Sequence, residues 1–427
     1  MSRMAALFVV ALALVALGCE GPAGKTGEIG PTGATGPTGP ALEVGDGGVA
    51  QGVITASCLS PCHSFTGIVD QYRSSTHYAA FVANLGGQEV PTWTGTTPCG
   101  NCHAIDALSL RAQGQVLSPG GTVSSIEQGH LEYADTTKSN ALADSLYAGS
   151  AKVAEVYCTT CHMVTEANDP HKTGAVYTPG TFGFWVATGA ADAAYLEKSP
   201  AAGSVVGQPA GNYGTGNVCI YCHKARKDVR NYIKPAGVTL NNPYWGPHEG
   251  PQADVYTGKG GYEFASKTYA SSTHTSFEDG CITCHMPPAS VNGDYPNHSF
   301  YAQVSACQAC HAGATSFDVN GAQTQITAAL TELEALLNSA GYLSRATTGA
   351  DMPVAAKDLG SNFQLDQTRS APPSTLDQDT AGALWNYIII ARGGALGVHN
   401  PTYTRQLLFD SIEKVKGSAP TSITTRP

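Results

Sequence analysis

Charged side chains are scarce in this chain of 427 residues, and basic residues are the scarcer kind. Only 13% of the residues are charged, and 23 Lys and Arg face 33 Asp and Glu, so that the formal net charge is -10. A surface that binds DNA or RNA needs clustered basic residues, so this composition argues against nucleic acid as a partner. An acidic surface instead suits cationic or metal-bearing partners.

Long hydrophobic runs are also missing after the first residues of the chain. The apolar run from Met4 to Leu17 follows Arg3 and precedes the small residue Gly18, which is the order of an export signal. The run is too short to span a bilayer comfortably. We therefore expect residues 1–18 to be a signal peptide and the protein to be exported.

Spare cysteines are nearly absent, because twelve of the thirteen lie in paired motifs and only Cys19 does not. Cys19 directly follows the signal, as at a bacterial lipoprotein processing site, where the cysteine becomes the acylated first residue. Ala16 stands where leucine is usual, and the alternative is an ordinary cleaved signal followed by a free cysteine. We favour lipidation at Cys19, since an unpaired cysteine in an exported protein otherwise needs an explanation.

Glycine occupies every third position from Gly21 to Gly39. Collagen requires this period because only glycine fits at the axis of the triple helix. Seven triplets make a marginal triple helix, which would demand a trimer, and the alternative is an extended polyproline II spacer. We favour a spacer, and we assign residues 19–57 to the lipidation site, the collagen-like stalk and a linker.

The other twelve cysteines form six motifs in which a histidine directly follows the second cysteine. Five motifs have two residues between the cysteines, and the stretched motif Cys58–His63 has three. In such a motif both thiols add to the vinyl groups of one porphyrin, and the histidine becomes an axial ligand of the iron. A zinc knuckle or a thioredoxin-like pair does not require that histidine, and a disulfide or structural pair is the alternative for the stretched motif. We predict six haem c groups attached through Cys58, Cys62, Cys99, Cys102, Cys158, Cys161, Cys219, Cys222, Cys281, Cys284, Cys307 and Cys310, with His63, His103, His162, His223, His285 and His311 as proximal ligands.

Methionine, the usual alternative for the second axial ligand, is rare in this chain. The expected mature chain contains only Met163, Met286 and Met352. The first two directly follow proximal histidines and cannot reach the opposite face of the same ring. Seven further histidines remain for six irons, although any one of them could instead be a surface residue. The candidate distal ligands are His77, His130, His171, His248, His274, His298 and His399.

One short repeat supports two of these candidates. The segment Tyr72–His77 matches Tyr269–His274 at five of six positions, and each copy lies upstream of a haem motif, those of Cys99 and Cys281 respectively. We interpret the repeat as one device used twice to present a distal histidine.

The composition predicts a mostly irregular chain with short α-helices packed around the haems and little β-structure. Glycine (49 residues) and proline (25 residues) are abundant, and both favour turns over long regular elements. We divide the haem-binding part into a two-haem region, residues 58–150, and a four-haem region, residues 151–317.

The last part of the chain, residues 318–427, has a helical pattern. Apolar residues at helical spacing predict three helices that pack on the haems. The first ends near Gly341, the second ends at Gly393-Gly394, and the third begins after Asn400 as N-cap with Pro401 in its first turn. The stripes are Ile326, Leu330, Leu333 and Leu337, then Leu384, Trp385, Ile388 and Ile389, then Leu407, Leu408, Ile412 and Val415.

Several segments of the later chain resemble one family of cytochromes. They are Trp245–Asp254, Gly260–Glu263, Cys281–Pro287, Asn297–Phe300 and Gly397–Pro401. These segments are similar to those of extracellular multihaem cytochromes of metal-respiring bacteria, which include the filament-forming, nanowire cytochromes of the OmcE type. The resemblance covers roughly residues 150–415 and four haems. It implies parallel- and T-stacked haems in a largely irregular fold, with His248, His274, His298 and His399 as distal ligands.

The two-haem amino-terminal part and the collagen-like stalk depart from the four-haem members of that family. The ligands implied above leave His77, His130 and His171 for the two amino-terminal haems. The repeat supports His77, and a turn-like setting supports His171. We name His130 as the spare histidine or as a ligand donated to a neighbouring subunit.

These features together predict an electron carrier that works at or beyond the outer membrane through a chain of haems with two histidine ligands each. The alternatives are a multihaem reductase of nitrite or of a sulfur oxyanion, and a conductive structural filament. A reductase would need an open or lysine-ligated iron, and no CxxCK motif occurs. The expected partners are other multihaem cytochromes, extracellular acceptors such as metal oxides, the membrane through a lipid anchor, and further copies of the chain in a filament or trimer. The expected location is an outer-membrane lipoprotein or the cell surface.

Overall fold

The computed structural model describes part of the chain, and that part lies within the compact unit from Val53 to Pro427. The predictions for Cys19, the collagen-like stalk, the first two haem motifs, His130 and His171 fall outside the described residues. The described residues are 67–78, 108, 117–118, 122–123, 156, 158–164, 183–184, 210–240, 245–248, 250–288, 296–345, 363–364 and 375–427.

Short helices and irregular segments make up most of the described residues, and the strands are two residues long. The helices are α1 (Ile68–Arg73), α2 (Cys158–Cys161), α3 (Asn217–Ile220), α4 (Val229–Tyr232), α5 (Gln252–Thr257), α6 (Cys281–His285), α7 (Val304–Gln308), α8 (Ala322–Ser339), α9 (Gln378–Gly393) and α10 (Pro401–Lys416). Single 3-10 turns lie at Gly214–Gly216, Thr273–Ser276 and Val319–Gly321. The predicted fold class, mostly irregular with short helices and little strand, is confirmed.

The strands form three separate antiparallel pairs. They are β1 (Leu117–Ser118) with β2 (Thr122–Val123), β3 (Val238–Thr239) with β6 (Thr375–Leu376), and β4 (Ser344–Arg345) with β5 (Phe363–Gln364). In the β3–β6 pair Val238 lies opposite Leu376. This pair therefore joins the segment after the haem motif of Cys219 to the start of α9.

The predicted carboxy-terminal helices all form, and their apolar stripes face the core. Ile326, Leu330, Leu333 and Leu337 on α8 are fully buried, and Gly341 follows the end of that helix in the left-handed conformation. Helix α9 ends at Gly393 with Gly394 as its left-handed C-cap, as predicted. The three helices pack on one another and form most of the hydrophobic core.

The core extends from these helices to the segment that precedes the fifth haem motif. Trp385 on α9 is fully buried, and its indole N–H donates to the carbonyl of Gly260 at 2.8 Å. The amide of Asn386 donates to the carbonyl of Tyr262 and accepts the N–H of the same residue. These bonds fix residues 260–264 on α9 and hold the following histidine-bearing segment near the core.

A smaller apolar cluster lies around the haem motifs themselves. Its buried members are Leu108, Ala210, Val218, Ile220, Tyr221 and Ala253. Cys161, Cys219 and Cys222 are partly buried against this cluster. Cys161 and Cys219, which are 58 residues apart in sequence, thus lie against one apolar surface.

Candidate haem-ligation sites

The four cysteine–histidine motifs among the described residues each form a helical turn. The backbone N–H of the histidine donates to the carbonyl of the first cysteine in three of them, at 2.9 Å for His162, 2.9 Å for His223 and 2.8 Å for His311. The fourth motif is helix α6 itself. Residues three and four apart share one side of a helix, so this turn places both thiols and the imidazole on the same side.

Each of these four proximal histidines lies beside the ring of one candidate distal histidine. The separations of the ring centroids fall between 5.9 and 6.4 Å. The pairs are His162 with His298 (6.3 Å), His223 with His77 (5.9 Å), His285 with His399 (6.2 Å) and His311 with His274 (6.4 Å).

These separations suit an iron between the two rings of each pair. Two imidazoles that bind one metal from opposite sides, each through a bond of about 2.0 Å, have ring centroids about 6.3 Å apart. The cysteines sit one helical turn from the proximal ring, where they can bond the porphyrin. The donor set and the spacing therefore fit haem c.

Hydrogen bonds at Nδ1 define the tautomer of three of these histidines. Backbone carbonyl oxygens only accept, so Nδ1 carries the proton where it meets them, and Nε2 keeps the lone pair that binds a metal. The contacts are His274 Nδ1 to Val398 O (2.7 Å), His285 Nδ1 to Phe300 O (2.8 Å) and His298 Nδ1 to Pro296 O (2.8 Å).

His223 uses a side-chain amide for the same purpose. Its Nδ1 lies 3.1 Å from Oε1 of Gln252, the first residue of α5. The amide nitrogen of Gln252 donates to the carbonyl of Gly393 at 3.1 Å, so the oxygen faces the imidazole. The carboxy-terminal end of α9 thus orients a proximal ligand through Gln252.

Burial keeps two of the distal histidines neutral. Burial and, to a smaller extent, proximity to His162 lower the pKa of His298 from 6.5 to about 4, although the hydrogen bond to the Pro296 carbonyl raises it. Burial, together with the neighbouring His285, His223 and His274, lowers the pKa of His399 to about 3. A neutral imidazole is the form that binds a metal, so both residues are ready to act as ligands near neutral pH.

Thiols of successive motifs are neighbours in space. Cys219 and Cys281 share a hydrogen bond, which raises the pKa of Cys219 and lowers that of Cys281. Burial raises the pKa of Cys161 to about 12. Proximity to Cys161 also raises the pKa of Cys219. Burial raises the pKa of Cys284, and proximity to Cys307 contributes to the same shift. Each of the first three described motifs therefore has a thiol near a thiol of the next motif along the chain.

The structure differs from the sequence interpretation in where it places His77. The sequence analysis grouped His77 with the amino-terminal haem motifs, whereas its ring lies beside His223. The resemblance also implies His248 as a distal ligand. That residue is half-buried, and its backbone N–H donates to the carbonyl of Ala225 at 3.1 Å. The contact between His77 and His223 spans 146 positions of sequence and leaves no local pattern, so sequence reasoning could not find it.

Sequence reasoning also missed residues that hold the ligands in place. Gln252, Phe300 and the carbonyl of Val398 each contact a histidine that the sequence predicts as a ligand. All three lie inside segments that carry the family resemblance, which was the available signal for a role at the site.

Comparisons with known proteins agree with this geometry. The family model described as "Cytochrome c552" matches residues 262–424. A curated relative, "C-type polyheme cytochrome OmcB" of Geobacter sulfurreducens strain DL-1 / KN400, is 24% identical over 297 residues, and so is the protein of the same name from strain ATCC 51573 / DSM 12127 / PCA. The family model and the curated relatives support a multihaem c-type cytochrome.

The chain matches only part of the length of these relatives. The alignment covers 62% of this chain and 38% of each curated relative. No solved structure matches the chain. Within the described part of the chain, none of the helices combines the length and apolar character needed to cross a membrane.

Proposed function

We propose that the protein is a hexahaem electron-transfer cytochrome in which every iron has two histidine ligands. The observation that carries this proposal is the set of four histidine pairs with ring centroids 5.9–6.4 Å apart. Haem c supplies one-electron redox chemistry when it is bound. With both axial positions filled by histidine, no iron offers a position for a substrate, which favours a carrier over a reductase of nitrite or a sulfur oxyanion.

In this proposal, two cysteines and two histidines hold each haem. Two cysteines of each motif would attach it, and the adjacent histidine together with a histidine distant in sequence would bind its iron. In the described part, we assign His298, His77, His399 and His274 as distal ligands to the motifs of His162, His223, His285 and His311 respectively. The spatial neighbourhood of Cys161, Cys219 and Cys281 supports a continuous chain of redox centres.

Two further haems belong to the motifs of His63 and His103 in this proposal. The candidates for their distal ligands that lie outside the described residues are His130 and His171. The pairing of His77 with His223 revises the sequence interpretation, which gave His77 to an amino-terminal haem. Intact mass under denaturing conditions tests the cofactor count, and a mass increase of five haems would mean that the motif of Cys58 is empty.

The spin state of the iron tests the ligand assignment. The ferric and ferrous wild-type protein should be entirely low-spin and should not bind carbon monoxide. Separate alanine substitutions of His77, His274, His298 and His399 should each create one high-spin iron. A high-spin signal in the wild type would contradict the carrier and favour the reductase. A His77→Ala variant that stays fully low-spin would contradict the pairing with His223.

The proposed location is the outer membrane or the cell surface, with Cys19 as lipid anchor and the collagen-like stalk as spacer. The proposed partners are other multihaem cytochromes and extracellular acceptors such as metal oxides. Cys19→Ala should release the protein from membranes without changing its haem spectrum, and unchanged membrane fractionation would contradict the anchor. Sedimentation and electron microscopy of the purified protein decide between a monomer, a trimer and a conductive filament.

A further inference from the structure

Phe300 has a backbone conformation that is unusual for a bulky residue. Its φ is 59°, in the left-handed region that side chains with a Cβ rarely adopt. Such a conformation persists where the surroundings impose it, and it clusters at functional sites. Phe300 lies two residues after the distal ligand His298.

The ring and the carbonyl of Phe300 contact three different ligand histidines. Its ring packs edge-to-face on His77, with centroids 4.8 Å apart at 65°, and on His298, with centroids 5.9 Å apart at 67°. Its carbonyl accepts the Nδ1 hydrogen of His285 at 2.8 Å. These histidines belong to three of the four pairs described above.

The segment that carries Phe300 is docked against the segment that carries His77. The N–H of His298 donates to the side-chain oxygen of Gln71 on α1 at 2.9 Å. The hydroxyls of Thr76 and Tyr301 lie 3.3 Å apart. Contacts on both sides of Phe300 therefore hold its ring against His77 although the two residues are 223 positions apart in sequence.

We propose that Phe300 is a positioning residue that tunes the reduction potentials of three haem sites at once, a role that rests on the proposed histidine ligation. The edge of an aromatic ring fixes the rotation of an adjacent imidazole. A carbonyl that accepts the Nδ1 hydrogen makes the imidazole a stronger donor to its metal. Ring orientation at His77 and His298, and ligand basicity at His285, are both determinants of haem potential.

The left-handed backbone allows the two contributions to be separated by substitution. Phe300→Gly removes the ring but retains easy access to positive φ, so the carbonyl keeps its place. Phe300→Ala removes the ring and disfavours positive φ, so the carbonyl also shifts. Phe277→Ala is the matched control, because Phe277 stacks on His274 at 5.9 Å and 22°, in the one described pair that Phe300 does not contact.

The readouts are the potentials of the individual haems and their low-spin electron paramagnetic resonance signals. The alanine variants of the four distal histidines assign each signal to a site by its loss. We expect Phe300→Gly to shift the sites of His77 and His298 only, and Phe300→Ala to shift those two and the site of His285. Phe277→Ala should shift only the site of His274.

The proposal is overturned if Phe300→Gly, fully loaded with haem and low-spin, has the wild-type potentials at the sites of His77 and His298. It is also overturned if a Phe300 variant shifts the potential at the site of His274 as much as the potentials at the other three sites, because that would indicate a general structural effect. If Phe300→Ala fails to mature, the glycine variant still decides the role of the ring. Failure of the ligation itself is separate, since it would show as high-spin iron in the wild type.

Discussion

The ring of His399 lies 6.2 Å from that of His285, and the next residue, Asn400, begins helix α10. The side-chain oxygen of Asn400 accepts the N–H of Tyr403 in the first turn and the N–H of Ser272 at 2.9 Å. One buried side chain thus caps the last helix and fixes the segment before His274. The helical core and two of the ligand sites are therefore mechanically linked.

Replacement of Asn400 by alanine should destabilise the protein and disturb two sites. A lost N-cap costs about 1 kcal/mol, and unsatisfied buried groups cost about 1–3 kcal/mol more. We expect altered low-spin signals at the sites of His399 and His274, measured alongside urea unfolding. Asp377→Ala is the control, because Asp377 caps α9 at an exposed position and should lower stability without changing those signals.

A second prediction concerns Gln252, which accepts the Nδ1 hydrogen of His223. Gln252→Glu places a charged acceptor there, which makes the imidazole a stronger donor and should lower the reduction potential of that haem. Gln252→Leu removes the acceptor and should raise it. The potentials of the other haems serve as the internal control. Equal potentials in both variants would show that this hydrogen bond does not tune the site.

The carboxy-terminal helices could be predicted because their signals are local. The apolar stripe from Ile326 to Leu337, the Gly394 cap and the Asn400-Pro401 start each lie within the helix that they define. The cysteine motifs could also be recognised from the sequence, since covalent attachment of haem c requires a fixed spacing of their residues.

The pairing of ligands could not be predicted in the same way. The ring of His77 lies beside that of His223 because segments far apart in sequence pack together. The repeat at Tyr72–His77 predicts a distal ligand but does not indicate which haem motif it serves. The left-handed φ of Phe300 likewise depends on tertiary contacts, because the residue type itself argues against it.

A third prediction uses two glycines of α9. A Cβ at Gly382 would clash with the ring of Tyr262, whereas a Cβ at Gly393 would meet nothing within 4 Å. Gly382→Ala should therefore destabilise the protein by about 1–3 kcal/mol through overpacking, although alanine is the better helix former. Gly393→Ala should be neutral or stabilising by up to about 1 kcal/mol. Urea unfolding followed by helix signal compares them, and equal effects would contradict the close packing of Tyr262.

The last prediction concerns Glu332 on α8, whose carboxylate holds the carboxy-terminal tail. It accepts hydrogen bonds from Lys416 at 2.7 Å, from the backbone of Thr421 and Ser422, and from the hydroxyl of Ser422 at 2.7 Å. Desolvation raises the pKa of this carboxyl, but the hydrogen bonds outweigh it and lower the pKa from 4.5 to about 2.

A lowered pKa means that the folded state favours the charged carboxylate, so its stabilisation is complete above pH 4.5 and is lost as the pH falls from there to about 2. Glu332→Gln should lower the free energy of unfolding at pH 7 by about 1–3 kcal/mol, the scale of hydrogen bonds to a charged group. The difference from wild type should shrink at pH 3. Glu413→Gln, which removes a more exposed ion pair with Lys267, should cost less than about 1 kcal/mol. A difference between Glu332→Gln and wild type that is as large at pH 3 as at pH 7 would show that the charge of Glu332 does not hold the tail.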